Sequence, residues 1–185
     1  MTKSTQLFPD IETERCHLRQ LTDNDIDFIF KHFSDAGVTE YLMDAPPVSD
    51  IMEAQAIIDL FKNPESKTQN RWGIVTKTGN QLIGTIGYHR WFKSCYHAEI
   101  GFDLSQQYWG KGIMTEVAQE VIRFGFESMG LNRINGMVYV GNDRCLKLTQ
   151  RLGFTIEGRL KDYFCLNGKF YDHYLLALLK REWKG

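Results

Sequence analysis

The chain has 185 residues, of which 43% are hydrophobic and 24% are charged, with a formal net charge of −1. These values are ordinary for a soluble globular protein, and the length predicts a single domain over residues 1–185. A charge so close to zero argues against nucleic acid or an anionic membrane as partner, and no apolar run is long enough to span a bilayer. Without an export signal, Cys16, Cys95, Cys145 and Cys165 are expected to be reduced thiols in the cytoplasm.

The first third of the chain predicts one strand and a set of helices. Residues 16–21 alternate apolar and polar side chains, which is typical of a strand. Thr22 or Asp23 is expected to cap the helix that follows, and residues 38–43 predict a short helical piece. After Pro46-Pro47, Ser49 is expected to cap a second helix, which Asn63-Pro64 would end.

The remainder of the chain predicts strands separated by two further helices. The predicted strands are 71–77, 81–92, 97–104, 133–140, 154–164 and 170–179, and the predicted helices are 113–129 and 142–152. Hairpin turns at 78–80 and 167–168 require antiparallel pairs, whereas helical connections permit parallel ones. The order of elements therefore predicts a mixed α/β fold.

One glycine-rich stretch, residues 107–112 (QYWGKG), lies between the strand 97–104 and the helix that starts near Ile113. Gly110 and Gly112 allow the turn to pass close to a ligand, because neither carries a Cβ atom. The helix start adds unpaired backbone N–H groups and the positive end of the helix dipole. This arrangement predicts an anion site, most often one for phosphate.

These residues and their surroundings resemble the GNAT superfamily of N-acetyltransferases. The resemblance rests on Gln107-x-x-Gly110-x-Gly112, on 98–102 (AEIGF) before it, on Asn142, and on 151–154 (RLGF) after it. The C-terminal runs 157–163, 167–172 and 179–183 resemble the Rim-type enzymes, which acetylate the N-termini of ribosomal proteins. The resemblance implies a GNAT-like domain whose mixed, mostly antiparallel sheet is split between two strands and flanked by helices.

The resemblance also implies acetyl-CoA as donor and a primary amine as acceptor. No metal is expected, because no histidine has metal-ligand spacing with a cysteine or an acidic residue. The pantetheine arm would lie in the split between 97–104 and 133–140, with a bulge near Glu99 to Phe102 that exposes an N–H group to the thioester. Expected coenzyme-binding residues are Gly101, Phe102, Gln107, Trp109, Gly110, Lys111, Gly112, Ile113, Met114, Thr115 and Asn142. Asn142 is equally well explained as a helix cap.

Two residues are candidates for proton transfer. The resemblance implies that Glu99 is the general base, and an apolar cleft would raise its pKa to suit that role. The alternative is a structural ion pair. Strand alternation puts Glu99, Gly101 and Asp103 on one face. Cys145 occupies a position where relatives use Tyr or Ser to protonate the coenzyme A thiolate. A helix N-terminus lowers a thiol pKa, but Cys145 is also explained as a small packed residue.

The remaining expectations concern the 3′-phosphate of coenzyme A and the acceptor. Basic candidates for the phosphate are Lys111, which is favoured, and Arg144, Lys147 and Arg151; acceptor-site candidates are Tyr88, His89 and Trp91. The histidines have no metal-ligand spacing. The acceptor groove is expected from the loops 36–50, 89–97 and 163–171, and the apolar terminal hairpin makes a homodimer plausible.

Three functions remain open at this point. The leading one is acetylation of a protein or peptide N-terminal α-amine. The second is acetylation of a small amine such as a polyamine or an aminoglycoside, for which an acidic pocket is required. Candidates for that pocket are Asp44, Asp50, Glu53 and Asp59. The third is a non-catalytic coenzyme A-binding module.

Overall fold

The computed structural model describes residues 7–62 and 68–185. Within them the elements follow the predicted order. The strands are β1 Ile11–Glu12, β2 Cys16–Gln20, β3 Asn70–Thr76, β4 Leu82–Phe92, β5 His97–Leu104, β6 Arg133–Tyr139, β7 Thr155–Leu166 and β8 Lys169–Leu179. The α-helices are α1 Ile26–Ser34, α2 Ala36–Thr39, α3 Ile51–Phe61, α4 Ile113–Glu127 and α5 Asp143–Arg151.

The strands form one eight-stranded sheet in the order β1-β2-β3-β4-β5-β6-β8-β7. Every neighbouring pair is antiparallel except β5 and β6, which are parallel. A parallel pair needs a crossover connection, and α4 supplies it between β5 and β6. The predicted mixed, mostly antiparallel sheet with flanking helices is confirmed.

The sheet is split between β5 and β6, as predicted. The two strands pair only at His97 with Arg133, Ala98 with Ile134, and Glu99 with Asn135. Beyond Glu99 the ladder ends, so the facing backbone edge of β5 is open to a ligand. The bulge expected in β5 is wrong: β5 keeps a regular register with β4 from Glu99 to Leu104, and the irregularity lies in β4 after His89.

Local signals account for most boundaries and for the errors. The cap of α3 is Asp50 rather than Ser49, because its carboxylate accepts the N–H groups of Met52 and Glu53 at 2.8 and 2.9 Å. Helix α2 begins at Ala36, ahead of the predicted 38–43, since Asp35 caps it. Strand β1 was not predicted, because two residues are too few for a periodic pattern. The predicted stop at Asn63-Pro64 lies outside the described residues.

The two faces of β5 are covered by different helices. Helix α4 packs on the apolar face, where the Tyr88 hydroxyl donates to the Val121 carbonyl at 2.9 Å within the main core. Helix α1 approaches the opposite face, where His32 contacts Asp103. A smaller core around Ile29 and Ile58 joins α1 to α3. The face that carries Glu99 therefore looks toward the helical segments that precede β3.

Candidate active site

A cleft of about 450 Å³ opens where β5 and β6 separate. Its walls come from β5, the glycine-rich turn, the first turn of α4, β6, α5 and the segment around α2. The residues that line it include the expected Glu99, Gly101, Phe102, Trp109, Gly110, Gly112, Ile113, Met114, Thr115, Asn142 and Cys145. Gln107 and Lys111 are exposed and do not line it. The fold thus brings most of the predicted coenzyme-binding and catalytic residues together in one cleft.

The turn before α4 has the backbone geometry of an anion site. Gly110 and Gly112 have φ angles of 71° and 74°, in the left-handed region that favours glycine. Gly112 is also the N-cap of α4, so the first N–H groups of the helix lack intrahelical acceptors. These donors and the helix dipole face the cleft, where a pyrophosphate would satisfy them.

The turn is held from behind by the connection between β1 and β2. Arg15 Nη1 donates to the Lys111 carbonyl at 2.9 Å, and Arg15 Nε donates to Glu116 at 2.5 Å. Glu116 also accepts from the hydroxyl of Thr13 at 2.6 Å. Because Arg15 pairs with Glu116, the acidic residue in the first turn of α4 does not oppose an anion at the helix start.

Three basic side chains of α5 line the cleft, on the side where the coenzyme is expected: Arg144, Lys147 and Arg151. Arg144 lies 4.1 Å from the centre of the Trp109 ring and 3.8 Å from Glu40. The Trp109 indole is fixed because Nε1 donates to the Leu104 carbonyl at 2.7 Å. Lys111, which the sequence favours for the 3′-phosphate, places Nζ 5.5 Å from the Tyr108 ring centre.

Asn142 and Cys145 occupy the start of α5. The Asn142 side-chain oxygen accepts the Cys145 N–H at 3.0 Å, which confirms its capping role. Cys145 packs against the main core, and burial raises the pKa of its thiol to about 12. The lowering that a helix N-terminus can produce is not found, because burial desolvates the thiolate and raises the pKa. The thiol stays protonated at neutral pH.

Glu99 lies at the end of the β5–β6 pairing, 13% exposed in its side chain. Its carboxylate contacts His89 Nε2 at 2.9 Å and Arg90 Nη1 at 3.1 Å. Burial alone would raise the pKa of Glu99, but the hydrogen bonds and charges of His89 and Arg90 outweigh it and lower the pKa. The expectation of a raised pKa is wrong, because it assumed an apolar cleft without cationic partners. Glu99 is ionised at neutral pH.

A second carboxylate, Asp103, is buried four residues further along β5 on the same face as Glu99. It accepts from His32 Nε2 at 2.7 Å, from the Thr85 hydroxyl at 2.6 Å, and from Arg71 Nη2. Burial opposes its charge, yet Arg71 and His32 hold the pKa of Asp103 well below its usual range. Sequence reasoning placed Asp103 on this face but missed its partners, because they lie 32 and 71 residues away in the chain.

The acceptor end of the cleft is built by the predicted loops only in part. The segment 36–50 contributes Tyr41 and Asp44, and Tyr41 stacks on Tyr139 of β6 at 6.0 Å between ring centres. His89 lines the cleft as expected. Tyr88 and Trp91 belong to the core instead, and the acidic residues Asp50, Glu53 and Asp59 lie outside the cleft lining. Of the four predicted acidic candidates, Asp44 alone reaches it.

Across 7–62 and 68–185, no group of three or more His, Cys, Asp or Glu side chains is arranged to hold a metal ion. In the same residues, no helix has the length and apolar character needed to cross a bilayer.

Comparison with known proteins agrees with the geometry of the cleft. Residues 15–155 match the family model described as the acetyltransferase (GNAT) domain. The chain belongs to this family. An uncharacterized N-acetyltransferase of Bacillus licheniformis, p20, is 38% identical over 94% of this chain and 97% of its own length. The crystal structure of a GNAT-family acetyltransferase from Bacillus anthracis superposes with a TM-score of 0.82 at 25% identity, covering 94% of this chain and 100% of that one.

Relatives with named acceptors fall into two groups. The ribosomal protein uS5-alanine N-acetyltransferase of Escherichia coli is 31% identical over 60% of this chain and 58% of its own length. The spermidine N(1)-acetyltransferase of the same organism is 23% identical over 90% of this chain and 87% of its own length. This GNAT chain is therefore an N-acetyltransferase of the class that uses acetyl-CoA, and its relatives span protein and polyamine acceptors.

Proposed function

We propose that this GNAT chain transfers the acetyl group of acetyl-CoA to the α-amine at the N-terminus of a protein or peptide. In the reaction a bond forms between the amine nitrogen and the acetyl carbonyl carbon, and the thioester bond to sulfur breaks. The amine loses one proton, and the coenzyme A thiolate gains one. Glu99 is the proposed acceptor of the amine proton, directly or through water.

The observation that carries the proposal is that two of the three carboxylates lining the cleft are already paired with basic side chains of this chain. Asp44, Glu99 and Asp103 are the acidic residues that line it. Glu99 already contacts His89 and Arg90, and Asp103 already contacts Arg71 and His32. A polyamine carries several ammonium groups, and each needs a carboxylate or similar acceptor when it leaves water. A single terminal amine needs far less, which suits this cleft better.

The lowered pKa of Glu99 supports the same acceptor class. A carboxylate stabilised by His89 and Arg90 is a weak base, so the acceptor must give up its ammonium proton readily. At pH 7.5 an α-amine with a pKa near 7.8 is about one-third neutral, whereas an alkylamine with a pKa near 10.4 is about 0.1% neutral. Deprotonation of an α-amine therefore requires a weaker base than deprotonation of an alkylamine.

For the donor, the proposed contacts are those that line the cleft near the split. The pyrophosphate would meet the backbone of residues 109–115, including Trp109, Gly110 and Gly112, and the pantetheine arm would run along Gly101 and Phe102 toward Asn142. Holding both reactants in register supplies much of the rate enhancement, since the approach of two bound groups replaces a bimolecular encounter.

A parallel acetylation screen tests the proposal. Purified protein is incubated with acetyl-CoA and with alanyl or seryl peptides, spermidine or an aminoglycoside, and the released thiol is followed. We expect a higher kcat/KM for the peptides than for either polycation. A clear preference for spermidine or the aminoglycoside would overturn the proposal.

A polyamine is the second candidate, favoured by Asp44. This residue lines the cleft and is exposed, and the spermidine relative matches most of the chain. One carboxylate at the mouth could bind the distal ammonium of a short polyamine. If spermidine is the acceptor, Asp44→Asn should raise its KM and leave peptide turnover unchanged.

A further inference from the structure

The guanidinium of Arg71 lies across the sheet at the acceptor end of the cleft. Arg71 is opposite Gly87 in β4, and Gly87 is opposite Gly101 in β5, so all three residues share one face and one level. A Cβ atom built on Gly101 would lie 3.5 Å from Arg71 Nη1 and 3.0 Å from the His89 ring. The absence of a side chain at Gly101 lets the guanidinium approach the backbone there.

The orientation of the Arg71 side chain is fixed by two of its three nitrogens. Nε donates to the Thr85 hydroxyl at 2.6 Å, and Nη2 donates to Asp103. Asp103 is itself held by His32. The contacts with Thr85 and Asp103 together fix the plane of the guanidinium. The third nitrogen, Nη1, has no hydrogen-bond partner within 7–62 and 68–185.

Arg71 lines the cleft, and its side chain is 17% exposed. The unpaired Nη1 lies beside Gly101, which also lines the cleft. An unpaired nitrogen of a mostly buried guanidinium at such a place is a ready donor for a substrate oxygen. Its charge is offset by Asp103, so the site is not simply a binding place for a free anion. The missing partner is an oxygen acceptor of modest charge.

The position of this donor relative to Glu99 defines which oxygen would reach it. Glu99 and Gly101 are two residues apart on one face, a rise of roughly 7 Å along the strand. In a peptide, the first amine nitrogen and the first carbonyl oxygen are separated by about 3 Å. A terminal amine beside Glu99 therefore brings its own first carbonyl within hydrogen-bond reach of Arg71. A polyamine has no oxygen at that point.

We propose that Arg71 is a specificity-determining residue that donates from Nη1 to the first carbonyl oxygen of the peptide acceptor. The inference rests on the proposed function, because it names how the same site would recognise an N-terminal peptide. It assigns to Arg71 a direct contact with substrate and assigns to Asp103, Thr85 and His32 the task of positioning it.

The test compares an alanyl peptide with an analogue in which an (E)-alkene replaces the first peptide bond. The analogue keeps the amine and the shape but lacks the carbonyl oxygen. We expect the wild-type protein to prefer the parent peptide by roughly tenfold to a hundredfold in kcat/KM, the range of a hydrogen bond to a charged group. Arg71→Lys keeps a cation for Asp103 but loses the planar fork, and should reduce this preference to near unity.

Arg123→Lys, on the exposed surface of α4, is the matched control and should keep the full preference. Affinity for acetyl-CoA should be equal in all three proteins. Equal use of the two peptides by the wild-type protein, or a full preference in Arg71→Lys, would overturn the role of Arg71 while the proposed function stands. Better turnover of free alanine than of alaninamide would overturn it in favour of a carboxylate. Absence of peptide acetylation, with spermidine acetylated, would overturn the proposed function itself.

Discussion

His89 Nε2 lies 2.9 Å from Glu99 Oε1 at the point where β5 parts from β6. The contact joins the proposed base to the neighbouring strand and, with Arg90, lowers its pKa. Glu99 is therefore available as a carboxylate over the whole neutral range. What it lacks is basicity, and this lack makes the pKa of the acceptor amine the main determinant of the pH profile.

Replacing Glu99 with glutamine should lower kcat by about 10²-fold at pH 7.5, because the side chain can no longer take a proton. Acetyl-CoA affinity, measured by calorimetry, should not change. Since the pKa of Glu99 is lowered, protonation of this carboxylate should not reduce the wild-type rate until the pH falls below 4.5. Glu120→Gln on α4 is the matched control. Equal rates for wild type and Glu99→Gln across the pH range would remove Glu99 from the mechanism.

Cys145→Ala should leave kcat near the wild-type value, because a thiol with a pKa of about 12 is a poor proton donor to the coenzyme A thiolate and packs against the core. Alkylation at pH 8 should modify the exposed Cys95 and Cys165 first and leave Cys145 intact, as read by mass spectrometry. A large fall in kcat for Cys145→Ala at unchanged thermal stability, with recovery in Cys145→Ser, would instead show that the thiol acts in catalysis.

Asp103→Asn should destabilise the protein by about 3–5 kcal/mol, because it leaves Arg71 and His32 without their buried counter-charge. Urea unfolding measures the loss, and Asp27→Asn at the exposed start of α1 is the control.

The same pair of variants gives a pH test. The folded pKa of Asp103 is lowered, so its contribution to stability is present above its unfolded pKa near 3.8 and is lost as the pH falls through the folded value. Wild type should therefore lose stability in acid more steeply than Asp103→Asn. Parallel curves would contradict the assignment.

Lys147→Ala should weaken acetyl-CoA binding by about tenfold while leaving the affinity for 3′-dephospho-acetyl-CoA unchanged, because a lost phosphate contact matters only when the phosphate is present. Lys147 lines the cleft on α5, whereas Lys111 does not. Lys111→Ala is therefore the comparison variant, and calorimetry with the two coenzymes is the measurement. Selective loss in Lys111→Ala instead would restore the choice made from sequence.

The parts of the site that depend on neighbours in sequence were predictable. The turn, the start of α4 and the Asn142 cap all follow from residue types within a few positions of each other. The Glu99 pKa was not predictable, because it depends on the β4–β5 register, which pairs His89 with Glu99, and on Arg90, which lies in the irregular part of β4. The Arg71–Asp103–His32 cluster was not predicted, because its residues come from β3, β5 and α1, which are far apart in the chain. None of these elements carries a local sequence signal for the contact.

The parallel ladder of only three residue pairs has a kinetic consequence. It joins a five-strand half of the sheet, which supplies Arg71 and Glu99, to a three-strand half, which supplies Tyr139. Acetyl-CoA bound in the gap would contact the open edges of both β5 and β6 and so connect the two halves further. The acceptor pocket should therefore acquire its final shape only after acetyl-CoA has bound. We therefore expect compulsory order in initial-rate kinetics, with acetyl-CoA entering before the amine.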